Sequence, residues 1–249
     1  NDPILFPTFA NDRWYVNGKP YDPMSPHSYD NHIDRLLKGE VLKAVRECKA
    51  KLENMQSTED GLMTFFSDMA NATRIFDHVY QASQTGAADF IKQASRPFYR
   101  VCLENVDGLA NLDKKPCHIS LDDGSPIAIE PSMTEKEFET FVNALEDVAQ
   151  HVTPQSDVDV LVHCSQGQSR STLFMIALCL YLFVLNKFPV AIDPLSDEAL
   201  LAITIRFISN KRPVIDLAHR WHPFLLYLGN RMWSAWKVRQ GNFTGISLD

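Results

Sequence analysis

The stretch VDVLVHCSQGQSRSTLFMIALCLYLFVL, Val158–Leu185, is the most informative part of the sequence. Its first piece, Val158–His163, is a short apolar run rich in β-branched residues, which is typical of a buried strand. Cys164–Arg170 consists of small and polar residues around a glycine and predicts a tight loop. Ser171–Leu185 is almost wholly apolar and too long for a buried strand, so it predicts a core helix.

A loop between a strand and the start of a buried helix is suited to bind an anion. The first amides of a helix have no partner within the helix and carry a partial positive charge. Successive N–H groups in a tight turn form the same kind of concave site. Arg170 adds a planar guanidinium that fits phosphate oxygens. Because a positive field stabilises a thiolate, the sequence predicts Cys164 as a nucleophile beneath a phosphate-binding loop.

The nine residues HCSQGQSRS, His163–Ser171, resemble the HCxxGxxR[ST] signature of the cysteine-dependent protein tyrosine and dual-specificity phosphatases. The resemblance implies that His163 orients the loop and that the Ser171 hydroxyl stabilises the Cys164 sulfur as a leaving group. It implies no metal and no other cofactor. The phosphate-binding residues that it implies are Ser165, Gln166, Gly167, Gln168, Ser169 and Arg170. The alternative, a buried inert cysteine at a strand end, does not account for the Gly and the Arg at these offsets.

Phosphatases of this kind also need a general acid, for which the sequence offers Asp122 in the loop SLDDGSP, Ser120–Pro126. The D-x-G-x-P spacing resembles the acid loop of tyrosine phosphatases. The Trp-Pro that precedes the aspartate in that family is replaced here by Ser-Leu. This departure keeps Asp123 and Glu130 open as alternatives, and either aspartate also suits a turn with no catalytic role.

Strand patterns and helix patterns alternate from about Ala72 onward, which indicates an α/β domain. The predicted strands before the nucleophile strand are Arg74–Tyr80, Tyr99–Glu104 and Cys117–Leu121. Their order resembles the dual-specificity phosphatase fold, which implies a central mixed, mostly parallel sheet flanked by helices. We therefore predict a catalytic domain over residues 71–249.

Residues 1–70 are predicted to form an N-terminal arm followed by a helical extension. The first 30 residues are rich in Pro, Asn and Asp, and a helical pattern runs from Tyr29 to Met55. No residue pattern in this part indicates chemistry. A cap on the catalytic domain, a substrate-selecting surface and a partner-binding module all remain open.

Composition and charge limit the classes of partner and compartment. The net charge of −7 argues against a nucleic-acid-binding chain. The chain has five cysteines without a CxxC pair, which favours reduced thiols and a cytoplasmic location, with delivery into another cell as an open alternative. The apolar run Leu173–Leu185 is too short to span a bilayer, so no membrane span is expected.

The loop itself favours a phosphorylated protein as the substrate. Its interior, residues 165–169, contains no Lys, whereas phosphoinositide phosphatases of the superfamily often carry Lys there. Ser169 also replaces the Asn that is found in RNA phosphatases. Two alternatives stay open: a phosphatase of a non-protein phosphomonoester (phosphoinositide, inositol phosphate or RNA 5′ end), and a non-catalytic phosphoprotein-binding module. The former would need a basic rim, for which the candidates are Lys114, Lys115, His118, Lys211, Arg212 and Arg220.

Overall fold

The structure is a computed structural model, and it describes residues 8–10, 13–16, 19–20, 37–113, 115–121, 135–218 and 221–244. Three short strands at the start form an antiparallel sheet in the order β1-β2-β3. They are β1 (Thr8–Ala10), β2 (Arg13–Val16) and β3 (Lys19–Pro20). The predicted acid candidates Asp122, Asp123 and Glu130 lie outside the described residues.

A five-stranded sheet with the order β4-β5-β8-β6-β7 forms the centre of the fold. Strand β8 pairs in parallel with both β5 and β6, and β6 pairs in parallel with β7. Only β4 runs antiparallel to its neighbour. The strands are β4 (Thr73–Phe76), β5 (Val79–Ala82), β6 (Phe98–Cys102), β7 (Cys117–His118) and β8 (Asp159–His163). The predicted α/β fold with a mixed, mostly parallel sheet is thereby confirmed.

The prediction of one strand over Arg74–Tyr80 is wrong, because the segment forms a hairpin. The chain reverses at Asp77, which has a positive φ of 37°. Arg74 Nε donates a hydrogen bond of 2.6 Å to the Asp77 carbonyl and closes the turn. Aspartate tolerates this left-handed conformation better than most residues. The turn therefore forms without a glycine, and the sequence lacks the residue that would have indicated it.

Helices cover both faces of the central sheet. On one face, helix α3 packs on Leu161 and Ala82 in a small apolar cluster. On the other face, α5 lies in the main core and is buried along nearly its whole length. The seven helices among the described residues are α1 (Gly39–Gln56), α2 (Glu59–Ala70), α3 (Gln84–Gln93), α4 (Glu135–His151), α5 (Arg170–Val184), α6 (Asp197–Lys211) and α7 (His222–Thr244).

The predicted helical extension is present as α1 and α2, and α1 packs against α6. Val41 and Ala44 of α1 belong to the same main core as the sheet and α5. Arg206 of α6 binds Glu47 of α1 at 2.8 Å and Glu40 at 3.3 Å. The extension therefore shares the core of the rest of the chain, and a division into two domains at residue 70 stays a prediction.

The parallel strands β5, β8 and β6 all end at one edge of the sheet, at Ala82, His163 and Cys102. Loops that follow the carboxyl ends of parallel strands commonly form ligand sites in α/β folds. The phosphate-binding loop predicted from the sequence leaves β8 at this edge. In the part of the chain that the structure describes, no helix has the length and apolar character needed to cross a membrane.

Candidate functional site

The loop from Cys164 to Ser169 turns directly from β8 into α5. The turn depends on Gly167, whose φ of +69° places it in the left-handed region. A Cβ on this residue would lie 2.5 Å from Ser83 N and 2.6 Å from Ala82 C. Gln84 N also donates to the Ser165 carbonyl at 3.0 Å. The loop is therefore held against the end of β5, and only glycine fits at its centre.

Cys164 is the first residue of this loop, and only 1% of its surface is exposed. Its Sγ is 3.4 Å from the Ser171 Oγ, which is hydrogen-bond distance for sulfur. When the sulfur is a thiolate, the hydroxyl donates and the sulfur accepts. Above the loop is a cavity of about 330 Å³ that is lined by Cys164, Ser165, Gln166, Gln168, Ser169, Arg170, Asp216 and Ala218. The loop residues predicted from the sequence, with the exception of Gly167, thus line one pocket.

The first turn of α5 is directed at the same pocket. Ser169 is the N-cap residue, and its side chain makes no capping hydrogen bond to the helix. Its hydroxyl instead accepts from Ala218 N at 3.0 Å. The Ser169 side chain therefore does not accept a hydrogen bond from the first N–H groups of α5. The partial positive charge of these N–H groups is available to an anion in the pocket.

Arg170 begins α5 and connects the pocket to the predicted acid loop. Its Nη1 donates a hydrogen bond of 2.8 Å to the carbonyl of Leu121. Leu121 directly precedes Asp122, which lies outside the described residues. Burial raises the pKa of Glu104. The Arg170 guanidinium has a smaller effect on that pKa and lowers it. The contact to Leu121 places the residue that precedes the predicted acid beside Arg170, the predicted phosphate-binding arginine.

Gln81, a fully buried side chain on β5, supports the loop from below. Its Nε2 lies at hydrogen-bond distance from the Gly167 carbonyl (3.2 Å), the Ser171 hydroxyl (3.1 Å) and the Thr172 hydroxyl (2.8 Å). An amide nitrogen has two protons, so these three acceptors share them. Gln81 thereby ties the turn at Gly167 to the first residues of α5.

Arg212 supports the loop from the other side, where its guanidinium is fully buried. Nε donates to the Gly167 carbonyl at 3.0 Å, and Nη1 donates to Thr73 Oγ1 at 2.7 Å. Burial lowers the pKa of Arg212 to about 10, and the nearby Asp68 carboxylate acts in the opposite direction. The suggestion that Arg212 contributes to a basic rim is wrong, because it lies behind the loop.

His163 is held in one orientation by a buried ionic group centred on Arg100. Arg100 Nη1 is 3.1 Å from His163 Nε2, and the guanidinium also binds Asp107 and Asp113 at 2.8 Å each. Arginine cannot accept a hydrogen bond, so His163 Nε2 must accept and the ring proton must be on Nδ1. His163 is therefore a neutral ring directly before Cys164, the predicted nucleophile, in a position to orient the loop.

This environment predicts an acid-sensitive stability. Burial, with Arg100 as the second cause, lowers the pKa of His163 from 6.5 to about 4. Between pH 6.5 and 4 the unfolded chain therefore takes up a proton that the folded chain does not, so the free energy of unfolding falls as the pH falls. We expect His163→Gln, which keeps an acceptor for Arg100 but cannot titrate, to remove about 3 kcal/mol of that loss. Denaturant unfolding at several pH values measures it.

The matched control is His151→Asn, at the half-buried end of α4. This variant shows whether the loss of a histidine outside the site changes the acid dependence in the same way. Glu104 acts in the opposite direction, because burial raises its pKa and favours folding as the carboxyl becomes protonated. The difference in the pH dependence of unfolding free energy between the unaltered chain and His163→Gln gives the contribution of His163 alone. Parallel curves for these two proteins would contradict the assignment.

Among the described residues, Cys102, Glu104 and His163 form the group whose composition comes nearest to a metal site. One ligand atom from each lies within 4.8 Å of the others. His163 Nδ1 is 3.9 Å from Glu104 Oε1. The hydrogen bond from Arg100 leaves the proton on Nδ1, so the ring presents N–H rather than a lone pair to this group. A metal ion needs the lone pair, and these residues therefore do not fit one.

The other four cysteines do not line the pocket at Cys164. Burial raises the pKa of Cys48, Cys117 and Cys179, and it raises the pKa of Cys102 to about 12. All four are free thiols. A cysteine that is protonated at neutral pH is a poor nucleophile, which indicates a packing role for these residues.

Four residues that contact the site or its supports were not singled out for this role in the sequence. They are Gln81, Arg100, Arg212 and Asp216. The backbone N–H of Asp216 donates to the Gln168 carbonyl at 3.1 Å, and Asp216 also lines the pocket. Each lies far from the loop in the sequence, and none is in a recognisable motif. The only available signal was the presence of a polar residue at the end of a buried strand (Gln81) or in the middle of one (Arg100).

Comparison with known proteins gives a match to one family over the centre of the chain. Residues 125–182 match the PTP-like phytase family, whose description is inositol hexakisphosphate. The match spans less than a quarter of the chain, but it includes the whole loop from Cys164 to Ser169 and most of α5. No curated protein matches the sequence at a significant level.

Solved structures of phosphatases are similar to this chain at low identity. The Yvh1 phosphatase domain from Chaetomium thermophilum is 19% identical, with 68% of this chain and 96% of that chain covered and a TM-score of 0.45. Human DUSP28 is 17% identical over 67% and 95%, with a TM-score of 0.42. OH1 from the Orf virus, described as a tyrosine phosphatase with triple substrate specificity, is 16% identical over 76% and 98%, with a TM-score of 0.43.

Proposed function

We propose that this chain is a cysteine-dependent phosphatase of the protein tyrosine phosphatase superfamily, and that it hydrolyses phosphomonoesters of proteins through a phosphocysteine intermediate. The match of residues 125–182 to the PTP-like phytase family supports the proposal. The observation that carries the proposal is the single pocket in which Cys164, the loop amides, Arg170 and the first turn of α5 meet. Such a pocket supplies positioning and electrostatic stabilisation, which are the main contributions that a protein makes to phosphoryl transfer. No metal is needed for the steps below.

The proposed reaction has two steps. The Cys164 thiolate attacks phosphorus in line, the S–P bond forms, and the bond to the leaving oxygen breaks while Asp122 gives that oxygen a proton. Water then attacks the phosphocysteine, Asp122 takes its proton, and the S–P bond breaks to release inorganic phosphate. The Ser171 hydroxyl, 3.4 Å from Sγ, stabilises the sulfur as it leaves. Arg170 and the loop amides hold the non-bridging oxygens in both steps.

A phosphorylated protein is the proposed substrate because the pocket carries little positive charge. Arg170 is the one cationic side chain among the described residues that line it. Gln168 is turned aside, because its Nε2 donates to the Val214 carbonyl at 2.8 Å. A pocket with this composition suits one phosphate on an otherwise uncharged or cationic substrate. We propose dual-specificity or tyrosine phosphatase activity on this basis.

A second candidate is an inositol phosphate phosphatase. The match over residues 125–182 to a family described by inositol hexakisphosphate favours it. A substrate with several phosphates would need additional cations around the pocket. Lys115, His118 and Lys211 are the rim candidates that remain among the described residues, since Arg212 is buried behind the loop. The same catalytic steps would serve either substrate.

The predicted acid is tested by the effect of the leaving group. We expect Asp122→Asn to lower kcat about 100-fold or more for phenyl phosphate, whose leaving group needs a proton, and far less for 4-nitrophenyl phosphate. The fall in rate as pH rises through the pKa of the acid should also disappear. Initial rates from pH 4 to 9 measure both effects. Asp123→Asn is the matched control, and an equal leaving-group effect in that variant instead would transfer the role to Asp123.

A further inference from the structure

Helix α2 presents an apolar stripe to solvent. None of its residues, Glu59–Ala70, is fully buried. Leu62, Met63 and Phe66 are exposed by 36%, 70% and 65%, and their spacing of three and four residues places them on one face of the helix. Phe66 also contacts the ring of Phe65 edge-on, with 5.6 Å between the ring centroids. We call Leu62, Met63 and Phe66 the α2 stripe.

The α2 stripe belongs to a helix that is fixed at both ends. At the start of the helix, the Thr58 side chain accepts a hydrogen bond of 3.1 Å from the backbone N–H of Gly61. Near the end of the helix, the Ser83 hydroxyl donates to the carbonyl of Met69. The stripe is therefore formed before any partner arrives. A preformed surface binds without the entropic cost of ordering a segment.

The charged side chains in this part of the sequence are all carboxylates, because residues 52–73 contain no Lys, Arg or His. Glu59 lies one helical turn before Met63 on the same face, and Asp60 follows it. Glu53 lies in the last turn of α1. All three carboxylates are exposed. None of them forms an ion pair with another residue that the structure describes. The negative charge beside the α2 stripe is therefore available to a partner.

We propose that the α2 stripe is a docking surface for a basic amphipathic helix of a partner protein. Single exposed apolar side chains are ordinary, but a contiguous apolar patch with a charged rim is typical of an interaction site. The apolar face of the partner helix covers Met63 and Phe66, and its Lys or Arg residues lie beside Glu59 and Asp60. A second copy of this chain would instead bring like charges together, since each copy has a net charge of −7. This inference goes beyond the proposed phosphatase function and does not depend on it.

The probe is a fluorescein-labelled amphipathic peptide of leucine and lysine, long enough for about five helical turns. Fluorescence anisotropy with the full chain measures binding, and we expect a Kd in the micromolar range because one helix face is a small interface. Met63→Ala/Phe66→Ala should weaken binding by at least about tenfold. The matched control is Val190→Ala/Leu195→Ala, which trims exposed apolar side chains elsewhere and should bind as the unaltered chain does. No binding, or equal binding by all three proteins, overturns the proposal.

The contribution of charge is tested separately with the same peptide. Binding should weaken as the NaCl concentration rises, and Glu59→Gln/Asp60→Asn should lower the affinity about threefold to tenfold at low salt. The control is Glu139→Gln/Glu146→Gln, which removes two exposed carboxylates from α4 and should keep the affinity. A peptide of leucine and glutamate should not bind. Equal losses in the two charge variants would show that net charge alone attracts the peptide, which contradicts the proposal.

Two other occupants of the α2 stripe give different results. If sedimentation shows a dimer that Met63→Ala/Phe66→Ala dissociates, the stripe joins two copies of the chain and the proposal is overturned. It is also overturned if the chain binds vesicles of phosphatidylcholine and phosphatidylserine and this variant does not. Turnover of 4-nitrophenyl phosphate, which the variant should retain, tests the phosphatase function. A chain without turnover can still bind the peptide, so the failure of either proposal is visible on its own.

Discussion

Replacement of Cys164 by serine is expected to lower the turnover of 4-nitrophenyl phosphate by at least about a thousandfold. The hydroxyl has nearly the shape of the thiol, so the loop and the pocket should remain intact. A serine hydroxyl does not ionise at neutral pH as a thiol in a positive field does, so it is a far weaker nucleophile. The variant should still bind phosphate esters, because the loop amides and Arg170 are unchanged.

The control is Cys117→Ser, which makes the same atomic change at a partly buried thiol on β7. That variant should keep its activity. Acid quenching during turnover of a ³²P-labelled substrate should trap label on the unaltered chain and none on Cys164→Ser. If Cys164→Ser keeps more than a tenth of the activity, sulfur is not the nucleophile. If the unaltered chain binds the ester without turnover, the chain is a phosphoprotein-binding module instead.

The loop could be predicted from the sequence because all its parts are contiguous. A strand, a nucleophile, a glycine, an arginine and a buried helix follow one another within Val158–Leu185, and local patterns determine each of them. The structure has the strand over Asp159–His163 and the helix over Arg170–Val184. A site whose residues are neighbours in the sequence can be predicted from local patterns. The α/β fold class could be predicted from the alternation of strand and helix patterns along the chain.

The supports of the loop could not be predicted, because they come from distant parts of the chain. Gln81 is 86 residues from its partner Gly167, and Arg100 is 63 residues from His163. A polar residue inside a strand pattern only indicates that some partner exists. The identity of that partner depends on which strands are neighbours. The order β5-β8-β6 places Gln81 and Arg100 on either side of the nucleophile strand.

The hairpin at β4 and β5 shows a different limit. The run RIFDHVY is rich in the β-branched and aromatic residues that favour a strand, and it has no Gly or Pro at its centre. Turn prediction depends on such residues. Asp77 takes the positive φ that a glycine usually provides. The Arg74 side chain stabilises the turn by donating a hydrogen bond to the carbonyl of Asp77. The reversal therefore depends on a side-chain contact that periodicity does not encode.

Replacement of Gly167 by alanine is the second change with a large expected effect. The residue has a φ of +69°, which costs an alanine about 1 kcal/mol or more. Its Cβ would also lie within 2.7 Å of the backbone of Ala82 and Ser83. Backbone at the end of β5 cannot yield as a flexible side chain does, because β5 is paired with β8 on one side and β4 on the other. The loop must therefore shift away from the strand.

We expect Gly167→Ala to lose about 2 to 4 kcal/mol of unfolding free energy and at least about 100-fold in kcat/KM. The matched control is Gly39→Ala, where φ is also positive (+55°) but the nearest atom is the Glu198 Oε2 side-chain oxygen at 3.1 Å. That variant carries the conformational cost without the backbone clash, so it should lose about 1 kcal/mol and keep its activity. Denaturant unfolding and initial rates measure both changes. Equal losses of stability in the two variants would show that close approach to β5 does not constrain the loop, and full activity in Gly167→Ala would remove the loop geometry from the proposed mechanism.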